Sequence, residues 1–236
     1  MEGTATFAMT DSGERPFIDY LPQRLSTEEA LRRGSAFYSR LDSRRSVRSF
    51  APDPVPRELV DLAIKSAGTA PSGAHRQPWK FVVIGDPNTK HEIRQAAEAE
   101  ERINYDGGRL GPQWRSALAP LKTDANKSFL EVVPWIVVLF EERFSYGEDG
   151  SEQHNYYVKE SCGIAAGLFV AALHEMGLAT LTHTPSPMAF LTKLLGRPIN
   201  ERPFVLFPVG YPSAHCQVPD LRRKSLEQIS ADFPLE

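Results

Sequence analysis

Cysteine is scarce in this sequence. Cys162 and Cys216 are far apart and form no C-x-x-C spacing in a chain of 236 residues. That argues against a disulfide framework or a structural zinc site and fits a reducing compartment. The six histidines are scattered, with no H-E-x-x-H or other paired-ligand spacing, so no metal site is expected. The most apolar stretch, 129–140, is interrupted by Glu131 and Pro134 and is too short to cross a bilayer. Met1–Asp11 has neither a basic start nor an apolar run, so no signal peptide is expected. No G-x-G-x-x-G follows a strand pattern, and there is no Walker loop. The formal net charge is -3, which makes nucleic acid a poor partner. Together these absences lead to the expectation of a soluble, cytoplasmic protein with neither membrane nor nucleic acid as partner.

Apolar residues make up 41% and charged residues 24%, ordinary values for a globular chain with a sizeable core. Residues 1–25 carry Pro16 and Pro22 without a clear period and read as an extended arm. Ser26 with Glu29 forms a capping box that opens a helix through Leu31, Phe37, Tyr38 and Leu41. Pro56 starts a second helix with an apolar face of Leu59, Leu62, Ala63 and Ala67, stopped by Gly68. A turn-rich loop, 69–79, leads into a strand over 80–85, whose apolar run is expected to be buried on both faces. Asn88 or Thr89 then caps a helix reaching about Tyr105. Residues 106–123 read as irregular, and a loop that long is commonly a functional lid.

Further strands are expected over 134–140, 178–182 and 204–209. Between them lie a long helix over 155–176, rich in small residues, and a short one over 188–195. No repeat, linker or domain boundary is visible over 26–236, and the pattern fits a single α+β domain with helices outnumbering strands.

Four stretches carry residues suited to chemistry. Arg44-Arg45-Ser46-Val47-Arg48 places three guanidiniums and a hydroxyl within five residues. Two readings are open: a solvated helix end, or a grip on phosphate oxygens, which the planar guanidinium fork matches. Pro71-Ser72-Gly73-Ala74 is a turn whose amides and hydroxyl could lie against a flat ligand. Thr180–Pro185 puts hydroxyls at a strand end, and Arg222-Arg223-Lys224 is a second cationic patch. Each could equally be an ordinary turn or a solvated tail.

Taken together, Arg44–Phe50, Ala67–Ala74 with Gln77-Pro78-Trp79, and Pro208-Val209-Gly210-Tyr211-Pro212 resemble the flavin-dependent nitroreductase superfamily. Glu101-Arg102-Ile103-Asn104-Tyr105, Trp114 and Lys127 narrow the resemblance to its iodotyrosine deiodinase subgroup, since ordinary nitroreductases lack that lid. The likeness runs from about Ser26 to Ile229. It implies a central, mostly antiparallel sheet flanked by helices, and FMN at the interface of an intertwined homodimer. By position, Arg44, Arg45, Ser46 and Arg223 hold the phosphate and ribityl chain, and Pro71, Ser72 and Gly73 lie along the flavin ring. Thr182 and Thr184 sit near the flavin, with the Thr182 hydroxyl at N5 as the catalytic contact. The Ala74 backbone N–H meets the substrate phenolate. His183 stands where relatives often have threonine and is given no role.

The lid, at about 101–127, also has a physical rationale. Glu101 and Tyr105 are four apart, hence neighbours on one helical face. A zwitterion buried over a flavin needs an anion for its ammonium and a cation for its carboxylate. Glu101 and Lys127 supply these, with the Tyr105 hydroxyl assisting; otherwise the pattern is an exposed, salt-bridged helix. The resemblance implies reductive dehalogenation of halotyrosines, with NAD(P)H or a separate reductase as electron source. Alternatives are a general nitroreductase or quinone reductase of the same fold, and a non-catalytic flavin- or halotyrosine-binding sensor.

Overall fold

The computed structural model describes residues 17–233. The chain divides into two units, 1–39 and 40–236. Of the expected arm, residues 1–16 lie outside the described residues, and 17–26 carry no helix or strand. Helix α1, Thr27–Ser43, starts where the Ser26 hydroxyl accepts the Glu29 N–H at 3.2 Å. The Glu29 carboxylate turns to Arg32 and Arg33 instead of closing the capping box.

In the second unit α2 (Arg57–Gly68) is followed by β1 (Trp79–Ile84), α3 (Pro87–Tyr105), α4 (Pro112–Leu118) and α5 (Phe129–Val132). Then come β2 (Trp135–Glu142), β3 (Phe144–Tyr146), β4 (Glu152–His154) and α6 (Val158–Glu175). The chain ends with β5 (Ala179–Thr180), α7 (Ala189–Leu194), β6 (Glu201–Gly210) and α8 (Leu226–Ile229). The main sheet has the order β1-β2-β6-β5 with every pair antiparallel, and β3 and β4 form a separate hairpin.

The central strands explain the near-continuous apolar runs. Successive side chains of a strand point to opposite faces. Val137, Leu139, Val205, Phe207 and Val209 pack with α2 and α6, where Val60, Ala63, Cys162, Phe169 and Leu173 meet them. Ile136, Val138, Phe140 and Leu206 point the other way, onto Ile93, Ala97, Leu130 and Leu191 of α3, α5 and α7. The sheet is thus the middle of three layers, α/β/α. Burial pushes the Cys162 thiol up to about 12, and its Sγ–H donates to the Pro78 carbonyl at 3.2 Å. It is therefore an inert core residue.

Several expectations need correction. β1 is an edge strand in which only Ile84 is buried, not a strand covered on both faces. In α2 the buried positions are Val60, Ala63 and Ala67, while Leu62 is 50% exposed. The cap of α3 is Asp86, which accepts the Thr89 N–H at 2.7 Å, with Pro87 in the first turn. Residues 106–123 are not irregular throughout, because Gly111-Pro112 opens α4 rather than breaking a helix. The hairpin of β3 and β4 falls within no expected strand.

Phe207 is fully buried between the sheet and α6. Phe207→Ala is expected to lower stability by about 3–5 kcal/mol through lost burial and a residual cavity. Leu62→Ala on exposed α2 surface should stay within about 0.5 kcal/mol. Urea unfolding of both variants at one protein concentration measures the contrast.

Candidate functional site

Beyond Ser43 the backbone leaves the helix and runs extended along the sheet. The Val47 N–H donates to the Thr180 carbonyl at 3.2 Å, Ser46 bridges Thr180 in parallel, and the Ala51 N–H donates to the Tyr211 carbonyl at 2.9 Å. Val47 and Phe50 turn into the core, while Arg44, Arg45, Ser46 and Arg48 stay half-buried. Of the two readings open for the pentad, the solvated helix end is therefore excluded.

The tail returns to the same place. The Arg45 guanidinium donates to the Pro219 carbonyl. Arg223 donates to the Asp42 carbonyl at 2.7 Å, to Asp42 Oδ1 at 2.9 Å and to the Arg44 carbonyl at 2.7 Å. Arg44, Arg45, Ser46, Arg48, Arg222 and Arg223 thus line one cleft of about 420 Å³. Burial, followed by the neighbouring Arg223 and Arg45 charges, pulls Arg44 below its usual pKa. Among the described residues no carboxylate lies within 4.0 Å of Arg44, Arg45 or Arg48. Arg44, Arg45 and Arg48, crowded without an anion of their own, suit a doubly charged phosphate ester, which would relieve their repulsion through charge-assisted hydrogen bonds.

Thr182 is the junction of the site. Along 181–185 burial alternates: Leu181, His183 and Pro185 face inward, and Thr182 and Thr184 face outward. The His183 N–H donates to the Leu206 carbonyl at 2.8 Å, and the Leu206 N–H to the His183 carbonyl at 2.9 Å, which sets this alternation. Thr182 lines the arginine cleft and two others. The largest, about 770 Å³, also has Leu41, Ser46, Gly163, Gly167 and Thr184 in its walls. The third, about 420 Å³, holds Arg48, Glu101, Tyr105, Trp114, Lys127 and His183.

In that third cleft Glu101 and Tyr105 stand one turn apart on α3, and Lys127, 3% exposed, faces them. Lys127 Nζ is 3.7 Å from Glu101 Oε1 and 5.6 Å from the Tyr105 ring centre. It also donates to Thr123 Oγ1 at 3.4 Å and to the Asp124 carbonyl. Burial lowers the Lys127 pKa, opposed by the Glu101 and Asp124 charges, and burial raises that of Tyr105. A zwitterion entering between Glu101 and Lys127 would exchange one compensated pair for two, so neither charge is left bare.

The 71–74 turn stands apart from this arrangement. Pro71, Ser72, Gly73 and Ala74 line none of the three clefts of their own chain. Ser72 Oγ accepts the Gln77 N–H at 2.9 Å, while Ala74, His75 and Gln77 hold left-handed backbone at φ 48°, 54° and 49°. A side chain on Gly73 would come within 2.8 Å of the Tyr156 carbonyl. Within the chain, then, the close approach that Gly73 permits is to Tyr156. Three αL-like departures among the four non-glycine residues 74–77 are the kind of strain that functional loops retain.

Two residues of the site were named in the sequence without an individual role. Arg48 borders both the arginine cleft and the lid cleft; its place two residues after Ser46 on an extended segment was the available signal. His183 is 6% exposed, packs edge-on against Phe129 and leaves Nε2 without a hydrogen-bond partner among the described residues. Burial, then the Lys127 and Arg48 charges, lowers its pKa to about 3, so the ring is neutral.

The sequence pattern of the nitroreductase family matches residues 41–211. An iodotyrosine deiodinase of Haliscomenobacter hydrossis is 50% identical over 208 residues, covering 88% of this chain and 93% of that protein. Iodotyrosine deiodinase 1 of Homo sapiens is 44% identical over 203 residues, covering 86% of this chain and 70% of that one. A crystal structure of oxidized iodotyrosine deiodinase bound to FMN and 3-iodo-L-tyrosine superposes with a TM-score of 0.73 at 28% identity, covering 85% of this chain and 100% of its own.

His183 yields a pH prediction. Because its folded pKa, about 3, lies below the ordinary histidine value of 6.5, the stability it contributes is full above pH 6.5 and is lost as pH falls from there toward 3. His183→Thr should remove this part of the acid sensitivity. The urea midpoint of the variant is expected to fall less between pH 7 and pH 5 than that of the parent protein.

Proposed function

The chain belongs to the nitroreductase family, within its iodotyrosine deiodinase branch, and we propose that it is an FMN-dependent enzyme that removes halide reductively from halotyrosines. One observation carries the choice of substrate: a buried lysine and a glutamate face each other 3.7 Å apart beside a tyrosine, in a cleft that shares Thr182 with the arginine cluster. This is the charge arrangement a free amino acid requires, and a nitroaromatic or a quinone offers no zwitterion to fill it.

In this reading Arg44, Arg45, Ser46 and Arg223 hold the FMN phosphate and ribityl chain. Thr182 and Thr184, in the wall of the largest of the three clefts, would hold the ring. Bound FMN supplies the two electrons of the reaction. These, with one proton, convert halotyrosine to tyrosine and halide: the carbon–halogen bond breaks, and a carbon–hydrogen bond forms at the same ring carbon. The protein's own part is to bind, orient and exclude water. Glu101 takes the substrate ammonium, Lys127 its carboxylate, and the Tyr105 hydroxyl assists. The hydroxyl of Thr182 both donates and accepts, which suits a contact to a ring nitrogen that gains and loses a proton. The 101–127 segment acts as the lid, so that substrate binding completes the site. Reduced nicotinamide or a separate reductase replenishes the electrons.

A homodimer belongs to the same proposal. The outer face of α6 carries exposed Ile164 and Leu168 beside Gly163 and Gly167, which have open space around them. The 71–74 turn lines no cleft of its own chain. A second copy seated on α6 would bring its own turn to the flavin cleft, where the Ala74 N–H can meet the phenolate.

Single-turnover reoxidation tests the function. Dithionite-reduced protein mixed anaerobically with 3-iodotyrosine is expected to reoxidise its flavin and release one equivalent each of tyrosine and iodide. Reoxidation by a nitroaromatic but not by iodotyrosine would identify a general nitroreductase; reduced flavin that persists with bound iodotyrosine would identify a sensor. Glu101→Gln and Lys127→Ala should each weaken iodotyrosine binding about tenfold or more, the cost of stranding a charged partner, with FMN affinity unchanged. Loss of FMN with retained substrate affinity would refute the assignments.

A further inference from the structure

Lys127 is held to α3 at both of its ends. Its ammonium points toward Glu101, and its backbone N–H donates to Glu98 Oε1 at 2.9 Å. Glu98 and Glu101 are three apart on one helical face, so a single side of α3 sets both the position and the charge environment of this lysine. Glu98 is itself 8% exposed and fixed by two arginines: Arg94 Nε donates to the same Oε1 at 2.8 Å, and Arg102 Nη2 to Oε2 at 3.1 Å. Arg94 also reaches Glu131 of α5 at 3.0 Å, and Glu131 meets His91 at 2.6 Å. The end of the lid segment is thus pinned to α3 by a network that touches neither the flavin clefts nor Thr182.

We propose that Glu98 is a positioning residue for recognition of the amino-acid carboxylate, acting by holding the Lys127 backbone where its ammonium faces Glu101. The inference rests on the halotyrosine reading above. Without the Glu98 oxygen, the buried Lys127 N–H has no partner. A group in that state draws the backbone toward water or toward another acceptor, and the ammonium moves with it. Because Oε1 accepts both the Lys127 N–H and Arg94, a glutamine whose carbonyl oxygen occupies that position keeps the essential contact. It gives up the hydrogen bond to Arg102, whose side chain is 60% exposed and contributes little, and the charge facing Arg94, which keeps its ion pair with Glu131.

The test compares Glu98→Ala and Glu98→Gln with the parent holoenzyme, using flavin fluorescence to titrate 3-iodotyrosine and 2-iodophenol, which lacks the amino-acid group. Glu98→Ala is expected to weaken iodotyrosine binding about tenfold, the effect of losing one charge-assisted hydrogen bond. Its affinities for 2-iodophenol and FMN should stay within about twofold, a span of only about 0.4 kcal/mol. Glu98→Gln should stay within about threefold of the parent for every ligand. A general loss of folding in the lid would weaken iodophenol as well, so the ratio of the two ligands separates positioning from mere stability. Equal iodotyrosine affinity in parent and Glu98→Ala overturns the inference alone. So does a tenfold loss in Glu98→Gln, which decides the matter even where the alanine variant does not accumulate. A parent protein that ignores iodotyrosine overturns the functional reading and this inference with it.

Discussion

The pairing of residues 46–47 with Thr180 is the contact on which the rest of the site depends. Through it an arginine-rich segment that leaves α1 is bridged, extended, to the end of β5. Val47 fills the core while its neighbours Ser46 and Arg48 turn toward the clefts, as alternation along extended backbone requires, and Phe50 is buried farther on, where the chain bridges Pro212. The same alternation from Leu181 to Pro185 aims Thr182 and Thr184 outward and buries His183. Two segments remote in sequence therefore present guanidiniums and hydroxyls to one space. The tail completes it through Arg223, which caps the exposed carbonyls of Asp42 and Arg44.

The two polar regions joined at Thr182 are built on opposite electrostatic plans. In the arginine cluster Arg223 is matched by Asp42, while Arg44, Arg45 and Arg48 have no carboxylate within salt-bridge distance among the described residues and gain by holding an anion continuously. The lid charges are already matched to one another, Glu101 to Lys127. A zwitterion must displace that pairing, so binding is an exchange of partners rather than a filling of an uncompensated charge. The first plan suits a resident cofactor, and the second suits a substrate that arrives and leaves.

Much of this was legible in the chain. The strands β2 and β6 announced themselves as apolar runs, because burial on both faces removes the polar alternation. Asp86-Pro87 and Gly111-Pro112 carried helix-start chemistry even though the first was misplaced by two or three residues and the second was read as a break. Glu101 and Tyr105 could be placed side by side because a helix fixes neighbours at four residues. Lys127 could be named from the resemblance, but its geometry could not. Its partner Glu98 was invisible, since that contact crosses a segment whose path depends on Asn104, Arg109 and Ser186 meeting near α7. The half-exposed state of β1 was equally hidden, because a strand's place in a sheet is a property of its neighbours.

By itself the sequence determined the local chemistry: which stretches are helix or strand, and which positions are cationic, hydroxylic or turn-forming. These follow from short-range periodicity and residue type, both of which are written within a few residues; the family was legible only as a resemblance of motifs spread along the chain. Only the tertiary structure decided that the arginines lie on extended backbone, that three clefts converge on Thr182, and that the 71–74 turn faces none of them. Each of those facts requires segments far apart in the chain to meet. Such meetings are chosen by the packing of whole layers against the sheet, which no window of sequence contains.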